Sequence, residues 1–358
     1  MKILQVIGSL AMGGAEKLVT EIAPRLCQMG HEVDVLVFDG TETPFLKELK
    51  ASGVNVISLG GESRSNYSLA NLLKMIPIAR RYDIVHAHTT PAQFLTALSK
   101  LLGFSKSRLI TTEHSTNNHR RGKWPLMIAD RMMYAFYDHI ICISETSKKN
   151  LEKQIGQGHH ITVIENGIDV KKYHEASPIP KASLHLKETD FVLTMVGRFV
   201  DAKDQDTIIR ALPLLPEDCK LLLVGTGTRQ KLCEELAQSL NVSDRVFFLG
   251  LRSDVPQILH TSDVVLMSSH WEGLSLSSVE GMSVDKPFMA SDVQGLREVV
   301  GGAGLLFKEG DYKQLAEEVM RLKSDKEFYH QIAESCLKRA QNYDIATMVQ
   351  KYSDIYLR

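Results

Sequence analysis

Two glutamates eight positions apart, Glu272 and Glu280, enclose the stretch Gly273-Leu274-Ser275-Leu276-Ser277-Ser278-Val279. On a single helix, eight steps of about 100° would leave their side chains roughly 80° apart. Gly273 breaks the run, so Glu272 reads as a loop residue and Glu280 as part of the helix that follows. Around Ser275 to Ser278 that helix would offer free N–H groups to an anion. A loop carboxylate, an anion-receptive helix start and a second carboxylate two turns on can hold a sugar, a diphosphate and a ribose in a row. The competing reading is a surface acid pair around a glycine turn.

A second group lies after the apolar run FVLTMV. Arg198 at the strand end and Lys203 five residues on can converge on one phosphate, the first as a fork and the second as a point charge. Two solvated cations are the alternative. Asp204-Gln205-Asp206 has the spacing of a metal-binding D-x-D, but it opens an amphipathic segment and reads as helix N-cap chemistry. The turn Gly8 to Glu16, with Gly13-Gly14, precedes a helix and suits either an anion or a tight connection. It fails the dinucleotide fingerprint at Leu10 and the P-loop at Gly14 and Ala15. His114 follows the run RLITTE, where it can meet a ligand or simply close a strand. His86 and His88 share a strand face but lack a third ligand nearby, which disfavours zinc.

These residues need elements to hold them. Near-continuous β-branched runs alternate with amphipathic stretches of 10 to 15 residues, the sign of parallel sheets covered on both faces. The alternation pauses over the polar stretch from Val170 to Lys187 and then restarts. The fold class is therefore α/β, with two tandem Rossmann-like doubly wound domains. Expected boundaries are 1–170, a linker at 171–187, 188–340, and a terminal helical segment at 341–358. That last segment reads either as a cap on the second domain or as a strap crossing back to the first. A length of 358 residues agrees with two domains.

Charge excludes some partners. The 42 basic and 43 acidic residues give a net charge of -1, with no global field for nucleic acid. Through Glu175 there are 21 basic and 17 acidic residues, and beyond it 21 and 26, so the halves differ in sign. Five cysteines, odd in number and far apart, suggest no disulfide framework and fit a cytoplasmic chain. No apolar stretch reaches the roughly 20 residues that a membrane span needs.

In combination, Gly13-Gly14, the Arg198/Lys203 pair, Gly225-Thr226-Gly227 and Glu272-x7-Glu280 resemble the retaining glycosyltransferases of family 4. Ser144-Glu145 and Asn166-Gly167-Ile168-Asp169 extend the resemblance over most of the chain. The resemblance implies the GT-B fold, with two domains facing a cleft. A nucleotide-diphosphate sugar would be the donor, on the second domain, and a glycan or lipid-linked acceptor would use the first. It implies that Arg198 and Lys203 hold the diphosphate without a metal or other cofactor. Glu280 would hold the ribose, and Glu272 and His114 would contact the transferred sugar. Gly14 and backbone amides of Leu274, Ser275 and Leu276 would complete the phosphate cradle, with Gly13 and Gly225 shaping its turns. The expected setting is surface-polysaccharide biosynthesis.

The sequence departs from the family pattern in two places. Leu274-Ser275 stands where Phe-Gly is frequent, and Ser283-Val284-Asp285 precedes Lys286-Pro287 where a small residue and glycine are usual. Both bear on which sugar is transferred. A nucleotide-sugar 2-epimerase of the same fold, or a silent nucleotide-sugar-binding protein, are the rival functions. The basic segment 117–127 reads as a solvated loop or as a peripheral contact with the inner face of a membrane.

Overall fold

The structure, a computed structural model, describes residues 1–11, 13–60, 68–103, 105–114, 124–272 and 275–358. The chain divides into two units, Met1–Asn166 with Ala346–Arg358, and Gly167–Ile345.

The first unit is built on seven parallel strands: β1 (Lys2–Ile7), β2 (Glu32–Val37), β3 (Asn55–Ser58), β4 (Ile84–Ala87), β5 (Arg108–Glu113), β6 (His139–Cys142) and β7 (Ile161–Val163). Their order is β3-β2-β1-β4-β5-β6-β7, so the connections diverge on either side of β1 and β4. The helices between them are α1 (Gly14–Gln28), α2 (Pro44–Ala51), α3 (Leu69–Ala79), α4 (Thr90–Gly103), α5 (Trp124–Tyr134) and α6 (Glu145–Ile155). Strand β4 is buried at every position, as a central parallel strand covered on both faces must be.

The second unit opens with α7 (Val170–His174). Residues 171–187 are folded onto it: His260 bonds the Tyr173 carbonyl at 2.7 Å, and Leu184 and Leu186 join a small core with Val192 and Leu222. Six parallel strands follow, β8 (Phe191–Val196), β9 (Cys219–Val224), β10 (Val246–Gly250), β11 (Val264–Met267), β12 (Phe288–Ser291) and β13 (Leu305–Phe307), in the order β10-β9-β8-β11-β12-β13. They alternate with α8 (Gln205–Ala211), α9 (Gln230–Ser239), α10 (Val255–Thr261), α11 (Leu276–Met282) and α12 (Gln294–Val300). Helices α13 (Tyr312–Ser324) and α14 (Lys326–Ala340) come after the last strand.

The final helix, α15 (Ile345–Leu357), lies almost wholly in the first unit. Met348, Val349, Tyr352, Ile355 and Tyr356 are all buried. Arg108 donates to the Tyr356 carbonyl at 3.0 Å, placing a cation where the helix leaves carbonyls unpaired.

Candidate functional site

In doubly wound sheets ligands sit beyond the carboxyl ends of the strands, where the connections diverge. In the second unit that point lies between β8 and β11, and Arg198, Lys203 and Glu272 stand on the loops that follow these two strands. Lys203 Nζ donates to Glu272 Oε1, and Ser269 Oγ donates to the same oxygen at 2.7 Å. The ion pair is mostly shielded, the side chains being 17% and 13% exposed. Glu272 Oε2 takes no donor among the described residues. The arrangement is a held carboxylate with one oxygen available, next to a held cation.

Three links staple the loops. His270 N donates to the Ala202 carbonyl at 2.9 Å, and Ser268 Oγ to the Asp204 carbonyl at 2.5 Å. From the end of β12, Ser291 Oγ bonds the Ser269 carbonyl at 2.5 Å. Asp204 caps α8 by accepting from the Thr207 N–H at 3.4 Å and the Thr207 hydroxyl at 2.6 Å. Burial raises its carboxyl above the usual value, only partly offset by Thr207 and His270. Asp204 is thus occupied as a cap, the role the D-x-D spacing left open.

Arg198 is exposed, and its guanidinium makes no hydrogen bond or ion pair among the described residues. Its backbone is fixed instead, because buried Gln205 donates to the Arg198 carbonyl at 3.0 Å. Gly225, just after β9, has φ +137°, and a Cβ there would collide with the Gly197 carbonyl. Gly227 approaches the Phe199 carbonyl as closely. The β9 turn therefore packs backbone to backbone against the segment carrying Arg198, which only glycine permits.

Ser275 is the N-cap of α11, its hydroxyl accepting from the Ser278 N–H at 3.3 Å. Leu276 is the first residue of that helix and Glu280 lies one turn further, half-buried. Leu274 falls outside the described residues. Asp285, where the resemblance leads one to expect glycine, has φ +54°. Aspartate is one of the few side chains that tolerate this left-handed region, which explains how the departure is accommodated. Among the described residues no three imidazole, thiol or carboxylate groups converge as a metal-ligand set.

In the first unit Gly13 is the uncapped N-cap of α1 and Gly14 its first residue, with open space around the Gly14 Cα. His114 directly follows β5 and lies beside a buried polar chain. His114 Nε2 lies 3.2 Å from His88 Nδ1, and His88 Nε2 lies 2.6 Å from Gln5 Oε1. Gln5 Nε2 reaches the Tyr356 hydroxyl at 3.2 Å, which is 2.6 Å from His86 Nδ1. His86 Nε2 closes on Thr112 Oγ1 at 2.9 Å. Burial depresses His114 to about 4 and His86 and His88 well below the ordinary value, so all three are neutral at pH 7. With the Gln5 oxygen facing His88, each link sets the next: His88 Nε2 donates, its Nδ1 accepts from His114 Nε2, and His114 Nδ1 is left as an acceptor.

The neutral histidines carry a pH prediction. Their folded pKa values are lowered, so the stability they contribute is complete above the unfolded value of about 6.5 and is lost as pH falls toward 4. Each takes up a proton on unfolding, giving a slope of about 1.4 kcal/mol per pH unit per histidine, or roughly 4 for the three. Chemical denaturation between pH 7 and pH 4.5 measures it. A flat profile across that range would show these rings to be charged or solvated.

Sequence reasoning missed Ser269, Gln205 and the Gln5–Tyr356 link. The serines at the end of β11 carried the only local signal, since a hydroxyl at a strand's carboxyl end is well placed to orient a loop side chain.

Comparison with known proteins bears on the family and the fold. Residues 12–172 match the family described as Glycosyltransferase Family 4, and residues 177–339 the glycosyl transferases group 1. EpsD of Bacillus subtilis (strain 168) is 28% identical over 346 residues, covering 92% of this chain and 90% of that one. The UDP-Gal:alpha-D-GlcNAc-diphosphoundecaprenol alpha-1,3-galactosyltransferase of Escherichia coli is 27% identical over 318 residues, 84% of this chain and 81% of its own. The crystal structure of Anabaena Alr3699/HepE in complex with UDP superposes with a TM-score of 0.83 at 26% identity, covering 99% of each chain. Two successive family matches, on two parallel sheets with the charged residues at the switch point of the second, make this chain a member of the family 4 glycosyltransferases of the GT-B fold.

Proposed function

We propose that the enzyme is a retaining, metal-independent glycosyltransferase that moves a sugar from a nucleotide-diphosphate sugar to a hydroxyl of a glycan or lipid-linked acceptor. The observation that carries this reading is the Lys203–Glu272 pair held at the β8/β11 switch point. Departure of the sugar builds positive charge at its anomeric carbon and negative charge on the diphosphate. A preorganised cation where the anion develops stabilises that state more than the ground state. Lys203 and the exposed Arg198 supply that charge, the task a divalent metal performs in other transferases. Glu272 Oε2 is an acceptor for a sugar hydroxyl, Glu280 is assigned to the ribose, and His114 Nδ1 to a sugar hydroxyl.

In the proposed step the bond between the anomeric carbon and the diphosphate oxygen breaks, and the acceptor oxygen bonds the same face of the sugar. The acceptor proton passes to the departing phosphate oxygen, so no protein base is needed. UDP in the Anabaena complex and the UDP-galactose of the Escherichia coli relative's name support a uridine donor. The diphosphoundecaprenol in the latter name supports a lipid-linked acceptor in surface-polysaccharide assembly.

The test is thermal stabilisation by UDP-, GDP-, ADP- and TDP-sugars with and without EDTA, followed by the anomeric configuration of the product. A bound donor at 100 times its dissociation constant adds about 2.7 kcal/mol. The expected result is stabilisation by a UDP-sugar that EDTA leaves unchanged. Loss of the shift in EDTA would overturn metal independence, and turnover of donor without any acceptor would favour the epimerase reading.

A further inference from the structure

Parallel strands covered on both faces ordinarily bury apolar side chains, yet the middle of the first sheet carries a line of polar ones. Gln5 on β1 is in register with His86 on β4. Thr112 on β5 bonds His86, and His88, just after β4, bonds Gln5. From α15, Tyr356 meets Gln5 and His86, and Tyr352 meets Thr112. All six side chains are at most 1% exposed. Burying polar groups where valine would serve costs free energy unless each is paired, and here every one is. The line surfaces at one half-buried end, His114, through His88.

Within this line only Gln5 has a direction of its own. An imidazole can carry its proton on either nitrogen and a hydroxyl rotates, whereas an amide has one end that donates and one that accepts. The Gln5 oxygen faces His88 Nε2 at 2.6 Å, and its nitrogen donates to the Tyr356 hydroxyl at 3.2 Å. On one side, this protonates His88 on Nε2 and makes its Nδ1 an acceptor for His114 Nε2. On the other, Tyr356 donates onward to His86 Nδ1, and His86 Nε2 to Thr112 Oγ1. Turned over, the same amide would reverse each link and leave a proton on the outer nitrogen of His114. One side-chain amide thus decides whether His114 offers a lone pair or an N–H. The tyrosine that braces it is anchored in turn, since Arg108 holds the Tyr356 carbonyl at 3.0 Å.

We propose that Gln5, braced by Tyr356, is a positioning residue for sugar transfer: acting through His88, it holds His114 in the tautomer whose Nδ1 accepts from a sugar hydroxyl. This rests on the reading that places His114 against the transferred sugar. The lone pair turns the negative end of the ring dipole toward a sugar that becomes cationic as the donor bond breaks. An N–H there would oppose that charge. The contact strengthens in the transition state, so its loss falls on kcat more than on KM.

The experiment reads the tautomer from the imidazole nitrogen chemical shifts of the full chain carrying isotope-labelled histidine, with His114→Gln assigning the signal. Without ligand at pH 7, His114 is expected to carry its proton on Nε2. Tyr356→Phe removes the hydroxyl that holds the Gln5 amide, so His114 should populate both tautomers. In that variant kcat for UDP release should fall about tenfold with KM nearly unchanged, the worth of one shielded hydrogen bond. The donor is UDP-glucose or UDP-galactose, whichever stabilises the parent. Tyr352→Phe, equally buried but beyond Thr112, should match the parent in both readings. Should Tyr356→Phe fail to fold, the parent spectrum still decides, because a proton on His114 Nδ1 would overturn the proposal. An unchanged tautomer in Tyr356→Phe would overturn it too, as would an equal loss of kcat in Tyr352→Phe, which would mark a structural effect of either hydroxyl. A tautomer that shifts while turnover stays constant would strike His114 from the reaction and the positioning role with it. The spectrum is taken without donor, so a failed donor assignment leaves it readable.

Discussion

Lys203→Ala should lower sugar transfer by about 100- to 1000-fold, the usual cost of removing a preorganised group that meets charge developing in a transition state. Lys203 is paired with Glu272 and held on the loop after β8, so its position is set by the protein itself. The fold should survive. Ser269 still donates to Glu272, and the loop remains tied through His270 N and Ser268 Oγ. Product formation under saturating donor, alongside thermal unfolding, separates the two effects. Turnover within threefold of the parent would remove Lys203 from the reaction, and collapse of the melting transition would reassign it to folding.

The second large effect is on stability. Gly225→Ala combines a backbone angle that L side chains rarely adopt with a Cβ placed into the Gly197 carbonyl. Strain of 1–3 kcal/mol and overpacking of similar size add to roughly 3–5 kcal/mol of destabilisation. Gly310→Ala is the control. Its φ is also positive, +73°, but nothing lies near its Cα, so only the conformational part is lost. Denaturant unfolding of both variants distinguishes crowding from backbone strain. Equal losses would show that the β9 turn can move away from the Arg198 segment.

Local patterns in the sequence accounted for much of this. The loop position of Glu272 and the helical position of Glu280 followed from Gly273 and helical geometry alone. The Asp204 cap followed from an acidic residue before an amphipathic run, and each main strand from β-branched continuity. Helix α2 was not legible, being eight residues with a single buried leucine pair, Leu46 and Leu49. Nor was the folding of residues 171–187, whose polar composition conceals Leu184 and Leu186 in a small core. The buried chain from His114 to Tyr356 spans nearly the whole sequence, and no periodicity encodes such partners. The pairing of Lys203 with Glu272 is of the same kind, since both were visible as candidates but not as neighbours.

The path of α15 has a consequence for synthesis. Its buried tyrosines complete the polar chain through Gln5, His86 and Thr112, yet they are made only after the whole second unit. The intervening second unit is continuous in sequence and can close on itself while translation proceeds. At about 5–20 residues per second, the nascent first unit waits roughly 10–35 s for its final helix after its own strands have emerged. During that wait the histidines that are later dry and neutral face water. The ribosome therefore finishes the second unit before the first, reversing the order in which their first residues are translated.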